Sequence, residues 1–165
     1  MDVAAVDQGE RPMEDALGTD TPAGSGRPAH LWIVGILATV WNAFGCYDYV
    51  MTQSKNKAYL DMMGGPEMAQ YFTSYPSWAV GVWAIGVWGA LLGSLLLLVR
   101  NRLAVPAFGA SLAALIIMAI YQFGITNMPP GMMTPSMWAM TVIIWIIAIA
   151  LLTYARIMSR AGVLR

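Results

Sequence analysis

The chain has 165 residues, of which 58% are hydrophobic and 11% are charged, and its formal net charge is zero. Soluble domains carry about 25% charged residues, so this composition predicts a protein that exposes most of its surface to a lipid bilayer. One cysteine and one histidine argue against an intrachain disulfide, a Cys-pair metal site and a multi-histidine centre within one chain. We therefore expect no enzymatic activity, no metal and no cofactor. The lack of a basic surface argues against nucleic acid as a partner.

The N-terminal segment differs from the rest of the chain in composition. Residues 1–30 contain six acids and two bases, are rich in Pro and Gly, and show no apolar periodicity. They also lack the basic start and apolar run of a signal peptide. We predict a disordered acidic tail over residues 1–29, followed by a membrane domain over residues 30–165.

Four apolar segments are each long enough to cross a bilayer, which requires about 20 residues per helix. They lie at about 31–51, 77–99, 103–125 and 136–155. Pro76 and Pro135 mark the starts of the second and fourth segments, because proline suits the first turn of a helix. Thr134 is a suitable N-cap. The pattern predicts an all-α membrane protein, a bundle of four transmembrane helices behind a disordered N-terminal tail.

The basic residues predict the orientation of these spans. Seven lie on one side of the membrane, in both terminal segments and in the turn between the second and third spans: Arg11, Arg27, Arg100, Arg102, Arg156, Arg160 and Arg165. Two lie on the other side, Lys55 and Lys57. Short cytoplasmic loops are enriched in Lys and Arg, so both termini are expected in the cytoplasm.

The segment between the first two spans is the largest outer loop. It contains "GGPEMAQYFTSYP", which predicts a short helix from Pro66 to about Phe72. Met68, Tyr71 and Phe72 would form one apolar face of this helix. We expect that face to lie on the outer membrane interface.

Small residues recur at four-residue spacing in the second and third spans. The pairs are Gly86/Ala90, Gly89/Gly93, Ala107/Ser111 and Ala110/Ala114. Such spacing lets two helix backbones approach closely. It is explained either by packing within the bundle or by formation of a homodimer.

Asp48 is the most unusual residue of the first span, because it places a carboxylate near the outer boundary of the hydrocarbon. Polar side chains that could converge with it below the outer loop form the candidate ligand-binding site: Asn42, Asp48, Thr52, Tyr121, Gln122 and Asn127. Two interpretations of Asp48 remain open. It either anchors the outer loop by accepting hydrogen bonds from a Tyr, a Thr or Lys55, or it binds a ligand or carries a proton.

Methionines gather in and beside the outer loops, at Met51, Met62, Met63, Met68, Met128, Met132, Met133 and Met137. Thioethers are soft ligands that suit Cu(I). Met also fills irregular apolar gaps. We favour that second explanation, because no His or Cys accompanies the methionines on the outer side.

Three stretches carry a resemblance to a known family: "HLWIVGILATVWNAFGCYDYVMTQSKNKAYL", "YPSWAVGVWAIGVWGALLGSLLLLVR" and the terminal "RAGVLR". The chain resembles, over about 30–165, a family of small four-span proteobacterial inner-membrane proteins that are often labelled "sugar transporter" or hypothetical. The resemblance implies a multi-pass protein of the bacterial inner membrane and favours transport. It supplies no catalytic or binding residues.

Two functions follow from these observations. The first is binding or transport of a small solute such as a sugar. The second is a non-catalytic accessory or assembly role in a larger membrane complex, which the small-residue stripes and short loops would suit. The expected partners are the lipid bilayer and either a second copy of this chain or a membrane complex.

Overall fold

The structure of the protein is a computed structural model that describes residues 29–130 and 134–165. The predicted disorder of the N-terminal tail lies outside the described residues, except for Ala29. Within the two described ranges the chain forms α-helices and no strand. The helices are α1 (Ala29–Gln53), α2 (Lys57–Met63), α3 (Gly65–Thr73), α4 (Ser77–Leu98), α5 (Ala104–Gly124) and α6 (Pro135–Arg160).

Four of these helices, α1, α4, α5 and α6, are long and apolar enough to cross a membrane. Their ends agree with the predicted spans within two residues, except that α6 continues past residue 155 to Arg160. The Thr134 hydroxyl caps α6 by accepting a hydrogen bond from the Met137 amide over 3.4 Å. The predicted all-α bundle of four membrane helices is confirmed.

The helices pack in the spatial order α1, α4, α5, α6, with α4 between α1 and α5. The contact between α4 and α5 uses the predicted small residues. A Cβ atom built on Gly89 would lie 3.6 Å from the Ser111 Cβ, and the Ser111 hydroxyl donates to the Gly86 carbonyl over 2.6 Å. This close approach accounts for the small-residue stripes by packing within one chain. A homodimer stays a prediction.

One end of the bundle, here called the arginine end, holds the described arginines and joins α1 to α6. Its core includes Leu31 of α1, Leu97 of α4, Ala155 of α6 and Leu164. The segment after α6 also pairs with the α4–α5 turn. The Arg165 amide donates to the Arg100 carbonyl over 2.7 Å, and the Arg102 amide donates to the Arg165 carbonyl over 3.1 Å.

The opposite end, here called the Asp48 end, carries two short helices where the sequence predicted one. Helix α3 matches the predicted helix, whereas α2 was not predicted. The Asn56 side chain caps α2 by accepting a hydrogen bond from the Tyr59 amide over 3.1 Å. Gly64 ends α2 with a φ of +140°. A Cβ atom at Gly64 would lie 2.6 Å from the Met68 Cγ, so the corner between α2 and α3 favours glycine.

The apolar face of α3 lies differently from the prediction. Met68 is only 4% exposed. Tyr71 and Phe72 pack among aromatic rings, with the Phe72 ring centroid 5.9 Å from that of Trp83 in α4. The face therefore packs on the protein itself, where aromatic side chains of α4 offer it a surface, and its position at a membrane interface stays a prediction.

Candidate functional site

A cavity of about 620 Å³ lies among the four long helices, towards the Asp48 end. Helices α1 and α6 form its side walls, and α4 and α5 form its floor. Side chains at its rim are exposed, including Phe44 of α1 (66%), Met62 of α2 (77%) and Met140 of α6 (47%). Helix α1 packs on α4 and α6 packs on α5, with little contact between α1 and α6. We therefore infer that the cavity opens to the surface between α1 and α6. We call it the α1–α6 cleft.

The cleft results from the way α1 and α6 meet. At the arginine end His30 and the Tyr154 hydroxyl are hydrogen-bonded over 2.7 Å, and Leu31 shares a core with Leu151 and Leu152. Towards the Asp48 end each helix instead presents side chains to the cavity. Small residues widen its interior, among them Gly45, Gly86, Ala90, Ala114 and Ala148.

Asp48 lies on the α1 wall of the cleft. The Tyr59 hydroxyl of α2 donates a hydrogen bond to Asp48 Oδ1 over 2.6 Å. Burial raises the pKa of Tyr59, and the neighbouring Asp48 raises it further, so Tyr59 stays a neutral donor at physiological pH. Lys55, one of the expected partners, forms no ion pair with a described residue. A hydrogen bond from a loop tyrosine to Asp48 is the kind of contact that the anchoring interpretation predicts.

Asn42 also lines the cleft, about two helical turns from Asp48. Its amide nitrogen donates to the Ser94 hydroxyl over 2.8 Å and to the Ala90 carbonyl over 3.3 Å. The Ser94 hydroxyl donates in turn to the Ala90 carbonyl, so it must accept from Asn42. This network fixes the orientation of the Asn42 amide and binds α1 to α4 within the membrane-spanning region.

Gln122 is the third predicted residue in the cleft lining. Its amide nitrogen donates to the Tyr75 hydroxyl over 2.8 Å. Burial raises the pKa of Tyr75 above the usual range, so Tyr75 is also neutral. Gln122 thus links α5 to the segment before α4.

The other three predicted site residues do not line the cleft. Thr52 is buried. The Tyr121 ring packs against Trp78, with centroids 4.9 Å apart. Asn127 follows the end of α5 and lines a separate depression with Glu67 and Ser74. These three residues therefore do not share the cleft with Asn42, Asp48 and Gln122, and a ligand-binding role for them stays a prediction.

Sequence reasoning missed the contributions of α2 and α6 to the site. Tyr59, Met62 and Met63 come from the unpredicted helix α2, and Thr141 and Trp145 come from α6. The Asn56 cap is the sequence signal that could have revealed α2. Nothing in the apolar pattern of α6 distinguishes the side that lines the cleft from the side that faces lipid.

Among the described residues, no group of three or more His, Cys, Asp or Glu side chains is placed to hold a metal ion. Of the methionines considered for Cu(I), Met62 and Met63 line the cleft, and Met68 is buried beside Gly64. Met132 and Met133 lie outside the described residues. Cu(I) binding stays an untested alternative.

Comparisons of the chain with protein-family models, with curated proteins and with solved structures find no match. The resemblance to the four-span family therefore stays a prediction from the sequence.

Proposed function

We propose that this protein is a non-catalytic inner-membrane protein that binds a small amphipathic molecule in the α1–α6 cleft. The cleft is the single observation that carries the proposal. Its volume of about 620 Å³ lies within the range of about 300–1,000 Å³ that ligand pockets occupy. A mostly apolar lining with a few convergent polar groups is also typical of such pockets.

The position of the opening supports an amphipathic ligand. Because α1 and α6 are membrane-spanning helices, the gap between them faces the hydrocarbon of the bilayer, and a ligand can enter from there. Apart from the tryptophans, the polar side chains are a minority of the lining: Asn42, Asp48, Tyr59, Tyr75, Ser111, Gln122 and Thr141. A sugar needs many hydrogen-bonding partners, so it fits this lining less well than an apolar molecule with one polar group. Transport of the ligand is the additional expectation from the family resemblance.

The orientation is part of the same proposal. With the arginine end in the cytoplasm, the Asp48 end of the cleft lies near the outer interface. A ligand in the cleft would place its polar group near that interface, close to the depth at which the headgroups of membrane amphiphiles lie.

Two matched substitutions test binding. Gly45 lines the cleft, and the only nearby atom that its Cβ would meet is Val87 Cγ1 at 4.0 Å, so Gly45→Phe should fill the cleft without breaking the fold. Gly81 lies on α4 outside the cleft lining, with no atom within 4 Å of its Cβ position. Gly81→Phe is the control.

The measurement is energy transfer from the protein's tryptophans to the neutral probe N-phenyl-1-naphthylamine, with the full chain in detergent micelles. We expect Gly45→Phe to weaken saturable binding by about tenfold or more and Gly81→Phe to leave it unchanged. Equal binding by all three proteins would overturn the proposal. Co-purification of a stoichiometric protein partner by a chain that binds no probe would favour the accessory role.

A further inference from the structure

The cleft contains one charged side chain among its described lining residues, the Asp48 carboxylate, and no Lys, Arg or His. Lys57, the base at the start of α2, is paired with Asp61 over 2.6 Å and forms no ion pair with Asp48. A carboxylate in a largely apolar site is costly unless it is paired with a cation or hydrogen-bonded. Tyr59 supplies one hydrogen bond, to Oδ1, but no positive charge.

Three polar side chains offer the cleft an unpaired acceptor oxygen. No described residue hydrogen-bonds Asp48 Oδ2, and the same holds for the side-chain oxygens of Asn42 and Gln122. The described part of the chain contains no buried side-chain nitrogen or oxygen that lacks a partner. These three oxygens are therefore accessible and not sealed in the core. A ligand that meets them needs donors or a positive charge.

Aromatic side chains complete this environment. Tyr59, Phe72 and Trp83 line the same cleft. The Phe72 and Trp83 rings lie 5.9 Å apart between centroids. The faces of such rings attract ammonium and other organic cations, and their apolar surfaces accept the body of such a molecule.

We propose, building on the function given above, that the ligand class of the α1–α6 cleft is an organic cation with an apolar body, with Asp48 as its counter-ion. The positive centre lies near Asp48 Oδ2, at the Asp48 end of the cleft. The apolar body lies against the α4–α5 floor and the α6 wall. The Asp48–Tyr59 hydrogen bond then has a second role, since it holds the carboxylate in a fixed position on the cleft wall.

Two hydrophobic ions of nearly identical size and shape test the sign of the charge: tetraphenylphosphonium, a cation, and tetraphenylborate, an anion. Binding of each to the full chain in neutral detergent micelles is followed by tryptophan fluorescence. We expect the wild-type protein to bind the cation at least about tenfold more tightly than the anion. Asp48→Asn keeps an acceptor for Tyr59 and should remove most of that preference.

Each result has a defined meaning. The counter-ion proposal is overturned if the wild type binds both ions equally, or if Asp48→Asn binds the cation as tightly as the wild type does. The cleft remains a binding site in either case if Gly45→Phe weakens the binding of both ions. Loss of the preference in Asp48→Asn, with the neutral probe still bound, supports it. Failure of every probe to bind the wild type overturns this proposal and the proposed function together. If Asp48→Asn fails to fold, the wild-type comparison still decides.

Discussion

The Tyr59 hydroxyl and the Asp48 carboxylate are joined by a 2.6 Å hydrogen bond that ties α2 to the wall of the α1–α6 cleft. Tyr59 is buried, and its ring packs nearly perpendicular to that of Tyr47, with centroids 5.7 Å apart, so the donor is held in place by more than the hydrogen bond. One side-chain pair therefore fixes the loop helix and also sets the position of the charge in the cleft.

The stability of this end should depend on that pair. Hydrogen bonds to charged groups contribute about 1.5–3 kcal/mol, so we expect Tyr59→Phe to lower the free energy of unfolding in micelles by about that amount. Asp48→Asn should cost less, because its amide oxygen still accepts from Tyr59. Asp48→Leu should cost more, because it leaves a buried hydroxyl unpaired. Tyr47→Phe is the control, since Tyr47 is 48% exposed. Equal losses in Tyr59→Phe and Tyr47→Phe would contradict the anchoring role.

The close contact of α4 with α5 predicts a contrast between two glycines of α4. A Cβ atom at Gly93 would lie 2.9 Å from the Phe108 ring, whereas a Cβ atom at Gly81 meets nothing within 4 Å. Overpacking costs about 1–3 kcal/mol, so Gly93→Ala should lower stability relative to Gly81→Ala. Denaturant unfolding in mixed micelles measures the difference. The contrast should shrink when Phe108 is also changed to Ala, and its persistence would show that the ring is not the cause.

The sequence predicted the parts of the structure that depend on hydrophobicity and on proline and cap positions. The four spans follow from the length of the apolar runs, and the starts of α4 and α6 follow from Pro76 and Thr134. Which side of a span faces its neighbours could not be predicted, because lipid-facing and buried positions are equally apolar. Polarity alone pointed to Asn42, Asp48 and Gln122, which line the cleft. Thr52, Tyr121 and Asn127 are polar too but lie outside it, because the direction of a side chain depends on tertiary packing.

The segment after α6 should contribute to stability although the sequence describes it only as a basic terminal stretch. Leu164 is 2% exposed in the core of the arginine end. Leu→Ala substitutions in cores cost about 2–5 kcal/mol, so Leu164→Ala should lower the thermal midpoint in micelles. Leu103→Ala, at a position that is 57% exposed at the same end, should change it much less. Equal midpoints for the two variants would argue against docking of this segment.

The orientation can be tested with single cysteines that leave every charge in place. In a Cys46→Ala background, Ser54→Cys at the Asp48 end should react with a membrane-impermeant maleimide added to intact cells whose outer membrane is permeable to it. Ala161→Cys at the arginine end should react only after the inner membrane is opened. Both positions are exposed. The reverse labelling pattern would show that the charge rule fails for this chain.

The core at the arginine end contains both Leu31, near the start of α1, and Leu164, beyond the end of α6. Contacts between residues so far apart in sequence form late, because the entropy of closing the loop must be offset first. We therefore expect α1, α4 and α5 to associate as a three-helix unit before α6 joins them at the arginine end. The boundary between α1 and α6 is then the last to form, and the α1–α6 cleft is the part of it that stays open after assembly.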